Sequence, residues 1–299
     1  MDHEHYAWSP IHTRRQLKWP SGHPLALCVV VSLNHMEWAP PTGSFQAHNL
    51  AGGLGRRPAL DYARLTHREY GHRVGIFRVL EVLRKHGIPV NVAMDALTAE
   101  HYPFLVEHCQ QHEAEFIGHG MSVSRMITSR MSEDEERDYI RESLAVIEAA
   151  CGIRPSGWFG PEYGESLRTP GLLAEAGLKY VLDWTNDEQP YPMTTPAGGL
   201  HALPVMLELD DVHALADRNV SLARYARLLV EASETLSVDG ATNARTLVLH
   251  LHPWLIGQPF RIRALDRALG QIVDQATVCS AYAGDIVDWA QAQEPGSTV

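Results

Sequence analysis

The sequence predicts an α/β fold, a closed or nearly closed β/α barrel, on three observations. Short apolar runs alternate with stretches of helical periodicity from Leu25 onward, as seven or eight β-then-α units with no compositional break and no second core. Many of these runs end in residues able to do chemistry, namely Asn34, His35, Glu37, Asp95, His119, Trp158, Asp183, Trp184, Glu208 and His252. The length of 299 residues suits one barrel with one large core. A barrel would bring these strand ends, more than 200 residues apart in sequence, to a single mouth. A doubly wound open sheet is the competing arrangement.

Residues 1–24 carry Trp8, Pro10, Trp19 and Pro20 among polar residues and read as an extended arm; residues 25–299 form the single barrel domain. Leu25 to Leu33 is a continuous β-branched and apolar run, as expected of a strand buried on both faces, and it opens into Asn34-His35-Met36-Glu37-Trp38. Pro40 to Pro58 is a long loop. Phe77, Leu80 and Leu83 recur at helical spacing between His72 and His86, and Gly87 stops that helix. Ile88 to Met94 is a strand ending at Asp95, and Thr98 to Gln111 is a helix leading into the strand Glu115-Phe116-Ile117-Gly118, which delivers His119 between two glycines. Ser132 with Glu135 forms a capping box for a helix closed by Gly152.

The alternation continues with a short strand at Pro155 to Phe159 and a helix capped by Thr169, with Pro170 at its first position and Gly177 at its end. Lys179 to Leu182 is a strand delivering Asp183 and Trp184. Leu200 to Leu207 is another, followed by Glu208, Asp210 and Asp211. Ser221 to Leu236 is helical, and Thr246 to Leu251 is a strand presenting His250 and His252 on the same side. A helix from Ile262 to Asp274, a strand from Thr277 to Ala281 and a last helix to Gln293 complete the chain.

Composition removes several classes of function. The net charge of −11 opposes binding to nucleic acid or anionic lipid. No apolar run approaches the roughly 18 residues of a membrane span, and the N-terminus lacks a secretory pattern, so a cytoplasmic location is expected. Cys28, Cys109, Cys151 and Cys279 are scattered and read as buried free thiols. There is no GxSxG nucleophile turn, and Gly52-Gly53-Leu54-Gly55 lacks the lysine of a phosphate-binding loop.

Five stretches together resemble the polysaccharide deacetylase superfamily, and within it the branch of cofactor-free allantoinases and cyclic imide hydrolases. They are Arg68-Glu69-Tyr70-Gly71-His72-Arg73-Val74-Gly75; Gly118-His119-Gly120 with the helix start from Met131 to Arg137; Arg154-Pro155-Ser156-Gly157-Trp158; Val181 through Tyr191; and Leu251-His252-Pro253-Trp254-Leu255-Ile256-Gly257-Gln258-Pro259. The resemblance implies a distorted barrel with fewer than eight regular strands and hydrolysis of a carbon–nitrogen bond in an amide. Metal-dependent members carry an Asp pair after the first strand and two histidines four residues apart after the third. Here Asn34 and His35 stand near the first place and Val123 occupies that of the second histidine. No cofactor is therefore expected, with a divalent metal such as zinc as the alternative, since a catalytic zinc usually takes three protein ligands.

Amide hydrolysis needs a base for water, donors for the oxyanion and an acid for the leaving nitrogen. The expected set is Glu37 or Asp183 as base, His119 as the donor to the carbonyl or as a metal ligand, and His252 as acid, the two histidines by resemblance. His35, Trp158, Trp184, Asn186, Gln189 and Trp254 are expected to hold a small planar ring, with Asn34 and His250 supporting them. The expected substrate is a small cyclic amide, imide or ureide, with an N-acetylated sugar or a catalytically inactive binding barrel as alternatives. Family likeness implies a homo-oligomer, expected to be a tetramer.

Overall fold

The computed structural model describes residues 1–44 and 61–294. Most of the Pro40 to Pro58 loop, including Gly52-Gly53-Leu54-Gly55, lies outside the described residues. Among the described residues nine strands make one curled sheet: β1 (Leu25–Leu33), β2 (Asn91–Met94), β3 (Glu115–Gly118), β4 (Gly157–Trp158), β5 (Tyr180–Val181), β6 (Tyr191–Pro192), β7 (His201–Ala202), β8 (Arg245–Leu251) and β9 (Val278–Ser280). The order is β6-β7-β5-β4-β3-β2-β1-β8, parallel except for β6 against β7. Strand β1 is the hub, pairing with β8 over Leu25 to Val31. Its other edge is shared by β9 over Leu25 to Leu27 and β2 over Val30 to Leu33. The ends of the order meet: Met206 donates to the Val248 carbonyl at 3.0 Å and Thr246 to that of Glu188 at 2.8 Å. Four strands run only two residues, so the barrel is distorted, with few regular strands.

Side-chain alternation sorts each strand into two faces. On β1, Leu25, Leu27, Val29, Val31 and Leu33 join the cluster beneath the outer helices, whereas Ala26, Cys28 and Val30 fill the interior. On β8, Leu247, Leu249 and Leu251 face out and Val248 faces in. Extending the inward parity gives Ser32 and Asn34 beyond Val30, His250 and His252 beyond Val248, His119 beyond Ile117, and Phe159 directly after β4. Interior alternation thus runs from apolar filling into polar side chains at one end.

Helix boundaries differ from the expected ones where local chemistry intervenes. The helix before β2 starts at Tyr62, capped by Asp61, and runs to Lys85 through a π-helical stretch at Gly71–Gly75. The reason for the glycines is close docking: a Cβ on Gly71 would stand 2.9 Å from the Trp254 backbone nitrogen, and one on Gly75 would overlap the Pro253 carbonyl. The helix expected over Thr98 to Gln111 is two, Ala96–His101 and Pro103–Gln111, because Pro103 restarts it. Arg168, not Thr169, caps the helix Thr169–Glu175. The capping box of Ser132 and Glu135 is present, and Gly152 ends its helix at φ +70°. All four cysteines are free, with Cys279 only half-buried.

The N-terminal arm lies against the barrel. His5 accepts from Thr194 N, Arg14 pairs with Asp187, and the Trp19 indole donates to the Arg245 carbonyl. Among the described residues no helix is long and apolar enough to cross a membrane.

Candidate active site

At the polar end of the interior is a cavity of about 170 Å³ lined by residues that include Asn34, Arg68, His119, Phe159, Glu162, Tyr163, Asp210, His250 and His252. Inward parity on β1, β3, β4 and β8 accounts for five of these. The segment after β7 contributes Asp210, and the turn after β4 contributes Glu162 and Tyr163. Both of those turn residues adopt positive φ, +53° and +58°. Two consecutive left-handed residues without glycine are the kind of strain that persists where a site imposes it.

Three histidines face this space in different electrical states. His252 Nδ1 lies 2.7 Å from Asp211 Oδ1, and the His252 backbone N–H also donates to that carboxylate. Burial works to lower its pKa, but the charges of Asp210 and Asp211 and the Asp211 hydrogen bond outweigh it, so the imidazolium is favoured above its ordinary range. His119 is the opposite. Its Nδ1 donates to the Phe159 carbonyl, which fixes the neutral tautomer and leaves Nε2 as an acceptor near Asn34 Nδ2, at 3.5 Å. Burial foremost, with His250 and His252 nearby, pushes its pKa down to about 3. His250 spends both nitrogens, Nε2 with Ser32 Oγ and Nδ1 with Asp210 Oδ2, each at 2.6 Å. Tyr163 donates to the same Asp210 oxygen.

Opposite these imidazoles stands Arg68, buried, its guanidinium carbon 4.2 Å from the centre of the Trp254 ring. The Gly71 and Gly75 contacts that dock the helix on Pro253 and Trp254 hold Arg68 at the cavity.

The structure separates the residues nominated from sequence. His119, His252, His250 and Asn34 come together. Glu37 does not line the cavity: Arg125 and Ser122 hold its carboxylate, and although burial pushes its pKa up, those hydrogen bonds bring it below the ordinary value. Asp183 accepts from Gly160 N with both oxygens, and burial raises it to about 7. His35 donates its backbone N–H to Asp95 and packs on His101 and Tyr102.

The expected wall of indoles is not formed. Trp158 has outward parity and packs with Ile140, Leu144 and Leu173 behind the sheet, while Phe159, its neighbour, faces in. Trp184 packs on His5 and Tyr6 of the arm. Asn186 bonds Tyr6 and Tyr191, and Gln189 bonds Asn243, Ala244 and Arg14, so this stretch anchors the arm. Trp254 stacks on Arg68 instead of lining the space. Sequence reasoning left Arg68, Glu162, Tyr163, Asp210 and Asp211 without a role, although Arg68 opens one of the motifs and the two aspartates follow a predicted strand.

Of the positions where the resemblance implies zinc ligands, Asn34 and Val123 are not zinc-ligand types, and of these three only His119 offers a ring nitrogen, Nε2, so a catalytic zinc is not fitted there. Asp210, His250 and His252 do bring three donor atoms within 4.8 Å of one another. A metal there would have to displace the His250–Asp210 hydrogen bond.

Comparison with known proteins supplies the wider setting. The sequence model of the family described as polysaccharide deacetylase matches residues 69–181. A protein of Schizosaccharomyces pombe, provisionally named a polysaccharide deacetylase, is 26% identical over 249 residues, covering 76% of each chain. Among solved structures, PuuE allantoinase superposes with a TM-score of 0.83 at 23% identity, covering 95% of this chain and 96% of its own. A provisionally named polysaccharide deacetylase of Pseudomonas aeruginosa PAO1 gives 0.81 at 23% identity, covering 94% and 96%. These likenesses fix the fold as the deacetylase-type barrel.

Proposed function

We propose that this chain, whose residues 69–181 match the model of the polysaccharide deacetylase family, is a hydrolase of carbon–nitrogen bonds that opens a small cyclic amide, imide or ureide. One observation carries this reading: two imidazoles face one small cavity, His119 with Nδ1 on the Phe159 carbonyl and its pKa pushed down by burial, His252 with Nδ1 on Asp211 and its pKa raised by the Asp210 and Asp211 charges against the effect of burial. Titratable groups pushed apart in this way are how a site assigns acid and base at one pH.

In this mechanism His119 Nε2 accepts a hydrogen from the attacking water and takes its proton as the carbon–oxygen bond forms. The Asn34 amide donates to the developing oxyanion. As the carbon–nitrogen bond breaks, His252 Nε2–H gives its proton to the ring nitrogen, and Asp211 stabilises the imidazolium until then. These roles replace Glu37 or Asp183 as base, since Arg125 and Ser122 hold the Glu37 carboxylate and both oxygens of Asp183 accept from the Gly160 backbone, and neither side chain lines the cavity.

Size supports a ring over a polymer. A void of about 150 Å³ holds one benzene, so a cavity of about 170 Å³ suits a single five- or six-membered ring. The family match favours N-deacetylation of a sugar as the second reading, and the test includes it. Purified protein is assayed against succinimide, dihydrouracil, hydantoin, allantoin and N-acetylglucosamine oligomers. Turnover of a ring substrate that is lost in His252→Gln supports the proposal; release of acetate from the sugars alone replaces it.

A further inference from the structure

Arg68 and Arg64 lie four residues apart on the helix Tyr62–Tyr70, so both leave the same face. Arg68 is 4% exposed and lines the cavity, yet neither of its terminal nitrogens has a hydrogen-bond partner. Arg64 Nε and Nη2 are likewise buried without one. Trp254 covers the flat face of the Arg68 guanidinium, but stacking leaves the in-plane N–H edge unserved. Among the described residues the one carboxylate within ion-pair range is Glu162, whose Oε1 is 3.6 Å from Arg68 Nη2, beyond a hydrogen bond. The Glu162 side chain is also 28% exposed, so its carboxylate can turn toward solvent.

A buried guanidinium whose donor fork is unfilled is costly unless an acceptor arrives with a ligand. Its two parallel N–H groups match a carboxylate bidentately. Asp210, Glu162 and Asp217 also line the cavity, which favours a monoanion over a dianionic phosphate.

We propose that Arg68 anchors a carboxylate borne by the ring, making the preferred substrate a cyclic amide or ureide with an anionic substituent. The substrate class rests on the cyclic-amide reading of the same cavity; the carboxylate site does not. Anchoring at Arg68 holds the ring with its scissile amide toward His119 and His252, so binding energy remote from the reacting bond becomes orientation at it.

The test compares dihydrouracil with dihydroorotate, the same ring without and with a carboxylate, by calorimetry at pH 7 on the full chain. The wild-type protein is expected to bind the carboxylated ring at least about tenfold more tightly. Arg68→Met should abolish that preference and Arg68→Lys should keep only part of it. Glu162→Gln, which removes the competing carboxylate, should tighten dihydroorotate binding several-fold. Equal affinity for the two rings in the wild-type protein overturns the proposal, and so does a preference that survives in Arg68→Met. Should Arg68→Met fail to fold, unchanged binding in Glu162→Gln decides against it. Hydrolysis is scored separately. Arg68-dependent binding without turnover of either ring keeps the anchor and removes the amidase reading, whereas turnover of both rings without preference does the reverse.

Discussion

Asp211 holds His252 twice, accepting from its ring Nδ1 at 2.7 Å and from its backbone N–H at 3.0 Å. One carboxylate therefore sets both the tautomer of the imidazole and the direction of the backbone as the chain leaves β8. The ring is left with Nε2–H for the cavity, in a protonated form that persists above the ordinary histidine range.

The alkaline limb of activity follows from this pair. A required imidazolium is present below its folded pKa and lost as pH rises through it, so kcat should fall on the alkaline side, above the ordinary value of 6.5. Asp211→Asn removes one of the two charges that raise the pKa, Asp210 being the other, and the falling limb should move to lower pH with kcat reduced at least about tenfold. His252→Gln should cost about 10²–10⁴-fold. A pH–rate profile of wild type and Asp211→Asn that superimpose after scaling would remove His252 from the acid role.

His119 makes the complementary prediction for stability. Its folded pKa of about 3 lies below that of an unfolded histidine, so between pH 3 and 6.5 the unfolded chain binds the extra proton. Its contribution to stability therefore falls as pH drops through that window. His119→Gln cannot take up that proton, and its Tm relative to wild type should rise steadily from pH 7 to pH 4. A constant difference would contradict the buried neutral tautomer.

Strand parity was the most legible feature of the sequence, and also where a one-residue choice mattered. The apolar runs placed β1, β3 and β8 correctly, and with them Asn34, His119, His250 and His252. Strand β4 is only two residues long, too short for periodicity to show which neighbour faces in, so the sequence does not tell Trp158, which packs outside, from Phe159, which lines the cavity. Arg68 was illegible for another reason. An arginine on an amphipathic helix looks solvated, and only the docking of Gly71 and Gly75 on Pro253 and Trp254 buries it. The loop motif around Asn186 and Gln189 carried polar residues suited to a ring, but the arm, distant in sequence, takes them.

Glu37 separates a structural carboxylate from a catalytic one. It accepts from Ser122 Oγ at 2.6 Å and Arg125 Nε at 2.8 Å, tying the loop after β1 to the loop after β3. Glu37→Gln should lower stability by about 1–2 kcal/mol through the lost charged hydrogen bonds. It should leave kcat within a few-fold. A loss of two orders of magnitude in kcat with unchanged Tm would restore Glu37 as base.

Metal dependence offers the sharpest division between the two readings of His252. In the acid role its Nδ1 is held by Asp211, and His250 is filled by Ser32 and Asp210, so no ion is needed to satisfy either ring. Exhaustive chelation should then leave turnover of a ring substrate and Tm unchanged. If Asp210, His250 and His252 instead act as ligands, chelation should abolish turnover, zinc should restore it, and Asp210→Asn should weaken metal retention. Because bound metal stabilises the folded state by mass action, the second case also predicts a lower Tm after chelation. Measuring Tm, turnover and metal content on the same samples decides between them, since the acid role requires that all three be insensitive or absent together.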